Sequence, residues 1–270
     1  MSSMAFSLMG AAVAGPGLGD WSDFRQRLAG RGPSAETAWP TTGLLSARER
    51  RRAPATVRLA LGVAESACRQ AGVDPKHTRA VFASGMGDVE ITVYMCQTLA
   101  EAPELLSPTR FHNSVHNAAS GYWSIATGAS GDITAVSAHY DSPRQGLIEA
   151  LMRLVEAPEP VLLVSYDLAT LESIRDAWPT RQPFAGAAVV GPAEVETSLA
   201  RLEARPVDRR GEHTRLPENL DRLIADNPAA GLLDLLVLAT PEAPAGPRFM
   251  GGGGRHGGQA GAGALEIRRS

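Results

Sequence analysis

Short apolar runs alternate with longer stretches in which apolar side chains return every third or fourth position. That alternation predicts strands separated by amphipathic helices. Residues 6–14 read as a first strand, closed by Gly15-Pro16-Gly17-Leu18-Gly19, a sequence suited to special backbone angles. Asp20 is placed to cap a helix over 21–29, with Trp21, Phe24 and Leu28 on one face. A loop through Pro33, Pro40 and Gly43 leads to an arginine-rich stretch. Val57, Leu61, Ala64, Cys68 and Ala71 then form a helical stripe that Gly72 closes. Residues 79–84 make a strand of the fully buried kind, running into Gly85-Met-Gly-Asp88, and 91–100 a helix.

Downstream the pattern repeats. A helix over 113–127 is rich in small residues: Ala118, Ala119, Gly121, Ala126, and Gly128 just beyond its end. Strands are expected at 133–138, 161–165, 182–191 and 199–203, with a helix at 145–155. The repeated order of strand and helix predicts an α/β fold with a mostly parallel sheet covered on both faces. Past residue 205 we expect a short helix at 216–224 and an apolar strand at 232–239. From 246 the glycine content suggests a flexible tail. Three units follow: 1–205, a 206–245 extension and a 246–270 tail.

Composition narrows the function classes. At 270 residues there is ample material for a core, and a net charge of −3 gives no basic footprint for nucleic acid. No apolar run approaches the roughly 18 residues of a membrane-spanning helix, and the N-terminus lacks a basic n-region. The cytoplasm is the expected location. Cys68 and Cys96, the only two cysteines, offer neither a disulfide framework nor zinc spacing, and both read as small buried hydrophobes.

The stretch Leu106-Ser-Pro-Thr-Arg-Phe-His-Asn-Ser-Val-His-Asn-Ala-Ala-Ser-Gly-Tyr-Trp-Ser-Ile-Ala-Thr-Gly-Ala-Ser-Gly131, with the apolar run after it, resembles the segment of β-ketoacyl synthases that leads into the nucleophile elbow. Ser107, Pro108, Asn117, Gly121, Gly128 and Gly131 match the family spacing without a gap. Gln182-Pro-Phe-Ala-Gly also resembles a family motif, with Ala185 where an acid is expected. The resemblance runs from about residue 5 to about residue 205 and implies a thiolase-like fold, the N-terminal half of a β-ketoacyl synthase. Phe249-Met-Gly-Gly is only loosely similar to the glycine-rich motif near the family's C-terminus.

The family stores its acyl chain on a cysteine thiolate at the start of a helix, where unpaired N–H groups lower the thiol pKa. This strand instead ends Ser137-Ala138-His139-Tyr140-Asp141-Ser142. Alignment from Gly131 needs one deletion, so Ala138, His139 and Tyr140 are all candidates for the cysteine position. None is a thiol. An acyl-imidazole is labile to water and cannot store a chain through repeated cycles. No catalytic residue is therefore assigned, and no cofactor or metal is expected. We expect His139 to fill the vacated cysteine pocket, and Asp141 or Ser142 to cap the next helix.

Two other chemistries compete with this reading. His112 and His116, four apart, would share a helix face, but a metal needs a third ligand and the neighbourhood is poor in acids. Ser137, His139 and Asp141 suggest a hydrolase, but strand neighbours point to opposite faces and the serine lacks a G-x-S-x-G elbow.

The resemblance therefore implies a non-catalytic subunit, similar to the chain-length factors that pair with a cysteine-bearing ketosynthase as a heterodimer in type II polyketide or aryl polyene pathways. Its expected tunnel and interface residues are Arg110, Phe111, His112, Asn117, Gly121, Tyr122 and Ile125. Arg48, Arg50, Arg51 and Arg52 suit an acidic acyl carrier protein, or simply a solvated helix face. The alternative is a stand-alone acyltransferase or hydrolase built around His139.

Overall fold

A computed structural model describes residues 3–31, 40–129, 131–208, 216–218, 220, 227–243, 246–251 and 263–270. Eight strands form one sheet: β1 (Met4–Ala14), β2 (Arg79–Ala83), β3 (Ile133–Val136), β4 (Val161–Asp167), β5 (Phe184–Gly191), β6 (Ala200–Val207), β7 (Arg248–Gly251) and β8 (Ala264–Arg269). Their spatial order is β3-β2-β4-β5-β1-β6-β8-β7.

The expected mostly parallel sheet is corrected to a mixed one. Only β2–β3 and β2–β4 pair in parallel, and every other neighbouring pair is antiparallel. Parallel neighbours need a helical crossover, and α-helices do separate β2, β3 and β4. No α-helix lies between β4 and β5, so β5 returns antiparallel.

Strand alternation divides the core in two. Ala80, Phe82, Leu162 and Val164 face one cluster with helix α3 (Ala55–Ala71) and Trp123. Val81, Ala83, Val161 and Leu163 face the other, against helix α7 (Ser142–Glu156) and the leucines of 232–238. On β1 the second cluster takes Phe6 and Leu8, then Ala11 and Val13. The switch from even to odd positions coincides with a register shift between Leu8 and Gly10. An extra residue there moves every later side chain to the other parity, which keeps one apolar face continuous.

The remaining helices are α1 (Trp21–Leu28), α2 (Ala47–Arg52), α4 (Val89–Glu101), α5 (Pro108–Asn113), α6 (Ala118–Thr127) and α8 (Leu233–Leu236). Asp20 caps α1 through the Asp23 N–H, and Gly72 ends α3 with φ at 68°, as the sequence predicts. Ser46 and Glu49 form a reciprocal capping box on α2 and leave its arginines exposed. The expected single helix over 113–127 is two: α5 stops at Asn113 and α6 begins at Ala118. Among the described residues no helix is long and apolar enough to cross a membrane.

The C-terminal expectations are corrected most. Residues 232–239 are not a strand but helical turns, 3-10 at Pro228–Leu232, α8, and 3-10 again at Val237–Ala239. A short run rich in leucine and alanine carries no period that separates buried helix from strand, and both residues favour helix. Nor is 246–270 simply a tail, because β7 and β8 join the sheet, and Met250, Leu265 and Ile267 are core residues. β6 pairs with β8, and Arg205 meets Glu266 at 2.9 Å. The expected boundaries at 205 and 245 thus fall within one sheet. Most of the helix expected at 216–224 lies outside the described residues, as do Pro33 and residues 252–262.

Candidate functional site

β2 and β3 end together, with Ala83 opposite both Val136 and Ser165, and β4 runs on to Asp167. Loops beyond the carboxyl ends of parallel strands are the usual place for a site. The turn after β3 is the elbow. There His139 has φ at 55°, the only positive φ outside glycine among the described residues. Of Ala138, His139 and Tyr140, only His139 has this left-handed backbone, a strained conformation for a residue with a Cβ.

Ser142 fixes the turn. Its Oγ accepts the Ala138 N–H at 2.8 Å and donates to the His139 carbonyl at 2.7 Å. Asp141 pairs with Arg144, whose Nε lies 3.0 Å from Oδ2. Of the two residues expected to cap the next helix, Asp141 does hold the N-cap position of α7, but without a side-chain cap bond: its carboxylate answers a guanidinium, and Ser142 closes the elbow. His139 does not fill a buried pocket either. It is an exposed residue flanked by two aromatic rings, Tyr140 and Trp178, each with its centroid 4.4 Å away. Partial burial lowers the imidazole pKa. Among the described residues no hydrogen bond joins His139 to Ser137 or Asp141, so the geometry does not assemble a hydrolase triad.

Under the elbow sits Asp167, fully buried at the end of β4. Its carboxylate accepts from Ser84 Oγ at 2.6 Å, the Gly85 N–H at 3.0 Å and the Met86 N–H at 3.1 Å. Burial raises its pKa to about 6, against the pull of those hydrogen bonds. Asn227 donates to the Asp167 and Gln182 carbonyls and ties residues 227–231 to the same point. Gly251 at the end of β7 has φ at 81°, and a Cβ there would meet Arg144 and Asp141. The end of β7, at Gly251, thus reaches the elbow.

The second feature is a groove of about 530 Å³ on the α2–α5–α6 face. His112, Asn117, Gly121, Tyr122 and Ile125, all expected at an interface, line it, together with Arg52 and Val115. Arg110 and Phe111 do not. The Arg110 guanidinium lies 4.0 Å above the Tyr94 ring, and Phe111 is 58% exposed on α5. The helix break separates the two histidines: His112 lines the groove, and His116 Nε2 lies 3.1 Å from the Ser84 carbonyl. Beside the groove, Ile125 is 73% exposed, and β3 is the outer strand of the sheet. Met152 and Val155 of α7 are also exposed.

Neither cysteine belongs to the elbow: Cys68 is on α3 and Cys96 on α4. Cys68 is buried in α3, where burial pushes its thiol up to about 12. Cys96 is exposed on α4, contrary to expectation, because that helix buries only Ile91.

Sequence reasoning missed Trp178, which lies in a loop without pattern. It also missed Asp167 and Arg248. A lone acid ending the apolar run of β4 was the available signal for Asp167. The alternation Ala264-Leu-Glu-Ile-Arg was the signal for β8.

The sequence profile of the β-ketoacyl synthase N-terminal domain matches residues 21–226. No curated protein sequence matches the chain. Among solved structures, the ketosynthase ApeO in complex with its chain length factor ApeC from Xenorhabdus doucetiae is similar at 22% identity and a TM-score of 0.68. That match covers 98% of this chain and 100% of that one. The AntDE:AntF complex, a type II PKS acyl-carrier protein with its ketosynthase, is similar at 12% identity and a TM-score of 0.69, with both chains fully covered. The ishigamide ketosynthase/chain length factor follows at 17% identity and a TM-score of 0.58, covering 75% of this chain and 68% of that one.

Proposed function

This chain belongs to the β-ketoacyl synthase N-terminal domain family, and from that premise we propose that it is a non-catalytic, chain-length-factor-like subunit. It pairs with a cysteine-bearing ketosynthase and shapes that partner's acyl tunnel in polyketide-type synthesis of the aryl polyene kind, in the cytoplasm. The observation that carries the reading is the elbow itself. The backbone keeps the left-handed turn that would present a nucleophile, but the residue presented is His139, and the two cysteines lie on α3 and α4. A condensing enzyme must hold its chain as a thioester, and an imidazole releases it to water.

The groove supports the other half of the reading. Gly121 leaves open space: beyond the backbone of its own helix, a Cβ there would meet nothing within 4 Å. Exposed Val115 and Ile125 line the groove with it, Phe111 is exposed on α5, and Met152 and Val155 are exposed on α7. Apolar side chains at that density are normally covered. The partner ketosynthase covers them, and Phe111 and His112 reach toward its tunnel. The exposed arginines of α2, at the rim of the groove, suit an acidic carrier protein. The stand-alone hydrolase reading gains no support, since Asp141 is committed to Arg144.

Co-expression with a cysteine-bearing ketosynthase tests the proposal. We expect a stable heterodimer, and no acyl adduct on this chain by intact mass after exposure to an acyl carrier thioester. A stable adduct on residues 133–142 rules it out. Phe111→Ala should open about one ring of space and shift the partner's products to longer chains. An intact complex with an unchanged product distribution removes Phe111 from the tunnel.

A further inference from the structure

Between β4 and β5 the chain makes a tongue whose base is clasped shut. The Thr170 N–H donates to the Thr180 carbonyl at 2.9 Å, and the Thr170 hydroxyl shares its one proton between the carbonyls of Trp178 at 2.6 Å and Thr180 at 3.0 Å. Thr180 in turn reaches Met86 Sδ at 3.9 Å, on the turn that Asp167 anchors. The clasp holds Trp178 against the elbow, its indole 4.4 Å from the His139 ring and tilted 41° to it. Rings at that separation are in van der Waals contact, with no space for a methylene between them.

We propose that Trp178 is a built-in obstruction of this chain's own elbow, a second barrier to acyl loading that is independent of the missing thiol. The inference rests on the reading of the chain as a non-loading subunit. An acyl group on residue 139 that follows the direction of the present side chain runs into the indole, whose centroid lies 4.4 Å from that of the imidazole. Removing the nucleophile alone would leave a pocket competing with the partner for the acyl chain. Filling that volume with a clasped tryptophan directs the chain to the partner. The exposed edge of residue 139 still admits a small reagent, so the barrier selects by size.

The test uses the full chain with Cys96→Ser, which removes the exposed thiol, and places a thiol at the elbow with His139→Cys. Octanoyl-N-acetylcysteamine is the acyl donor. The thiolate introduced at position 139 attacks the thioester carbonyl, the new S–C bond forms as the old one breaks, and N-acetylcysteamine leaves and takes up the proton. Iodoacetamide is the small probe, and intact mass reads both reactions. His139→Cys alone should be alkylated readily but octanoylated slowly. Adding Trp178→Ala should raise octanoylation on the order of tenfold to a hundredfold with little change in alkylation. Trp178→Phe, which keeps a ring on the clasp, should retain most of the block. Equal octanoylation with and without the indole overturns the proposal, as does a thiol that neither reagent reaches in either background. An octanoyl adduct on the unmodified elbow of the Cys96→Ser chain would instead defeat the non-catalytic reading.

Discussion

At His139 a left-handed backbone costs roughly 1–2 kcal/mol for any residue with a Cβ, while each ring contact returns about 0.5–1.5 kcal/mol. Two substitutions separate these opposed terms. His139→Ala loses the rings and keeps the strain, so it should destabilise the fold. His139→Gly loses the same rings but relieves the strain, and should be more stable than the alanine variant by about 1 kcal/mol in urea unfolding. An alanine variant as stable as the glycine one would contradict the left-handed elbow. Asp167 gives a pH signature. Its pKa rises from 3.8 unfolded to about 6 folded, so the folded state holds the proton more tightly. The group therefore favours folding below about pH 4, and that contribution is lost as pH rises through about 6. Asp167→Asn should abolish this slope. It should also cost about 1–3 kcal/mol at pH 7.5, because the carboxamide sets an N–H donor against the donors of Ser84, Gly85 and Met86. Unfolding curves at pH 5 and 7.5 check both; an unchanged pH dependence would mean that the carboxylate is not buried as described.

Among elements, α6 makes the sharpest distinction between fold and interface. Gly121 lies inside this helix with open space at its Cβ, so Gly121→Leu should leave the isolated chain as stable as before. The change in helix propensity favours the leucine by up to about 1 kcal/mol. The same leucine should weaken the ketosynthase pair about tenfold to a hundredfold, the effect of roughly 1–3 kcal/mol of overpacking. Normal co-purification would assign the interface elsewhere. Other elements were legible from short-range pattern alone. β2 and β4 carry a continuous apolar run between turn signals, and α3 carries a stripe closed by Gly72. The break at Ser114–Asn117 has no glycine or proline to announce it. Trp178 was invisible because nothing in the sequence of a loop says which distant ring it will meet. The run 232–239 misled because full burial on all sides erases periodicity.

For the molecule as a whole, the C-terminal strands are part of the core. Arg248 and Asp234 form a buried pair at 2.7 Å, with side chains 1% and 4% exposed. Ending the chain at residue 245 would strand Asp234 without that guanidinium and uncover the apolar side chains packed against Leu265 and Ile267. Removing one member of a buried pair alone costs about 3–5 kcal/mol. The shortened chain should therefore fail to give a cooperative thermal transition, and a normal melting curve would return the segment to the status of an appendage. Sequence could not foresee this, because the glycines between β7 and β8 dominate the composition and the partner strand β6 lies some sixty positions away.

The place of β1 in the sheet has a consequence for how the chain is made. It is made before every other strand of this sheet, yet it is sandwiched between β5 and β6, which are among the later ones. At ~5–20 residues per second, synthesis reaches β5 only on the order of ten seconds to half a minute after β1 emerges. Through that interval a strand as apolar as Met4–Ala14 has both edges unpaired. Long-range pairing of this kind also makes folding slow once all the strands are present. The nascent chain should accordingly be a client of chaperones that bind extended apolar segments. Its yield of soluble protein should respond more to the rate of translation and to holdase supply than to the stability of the finished fold.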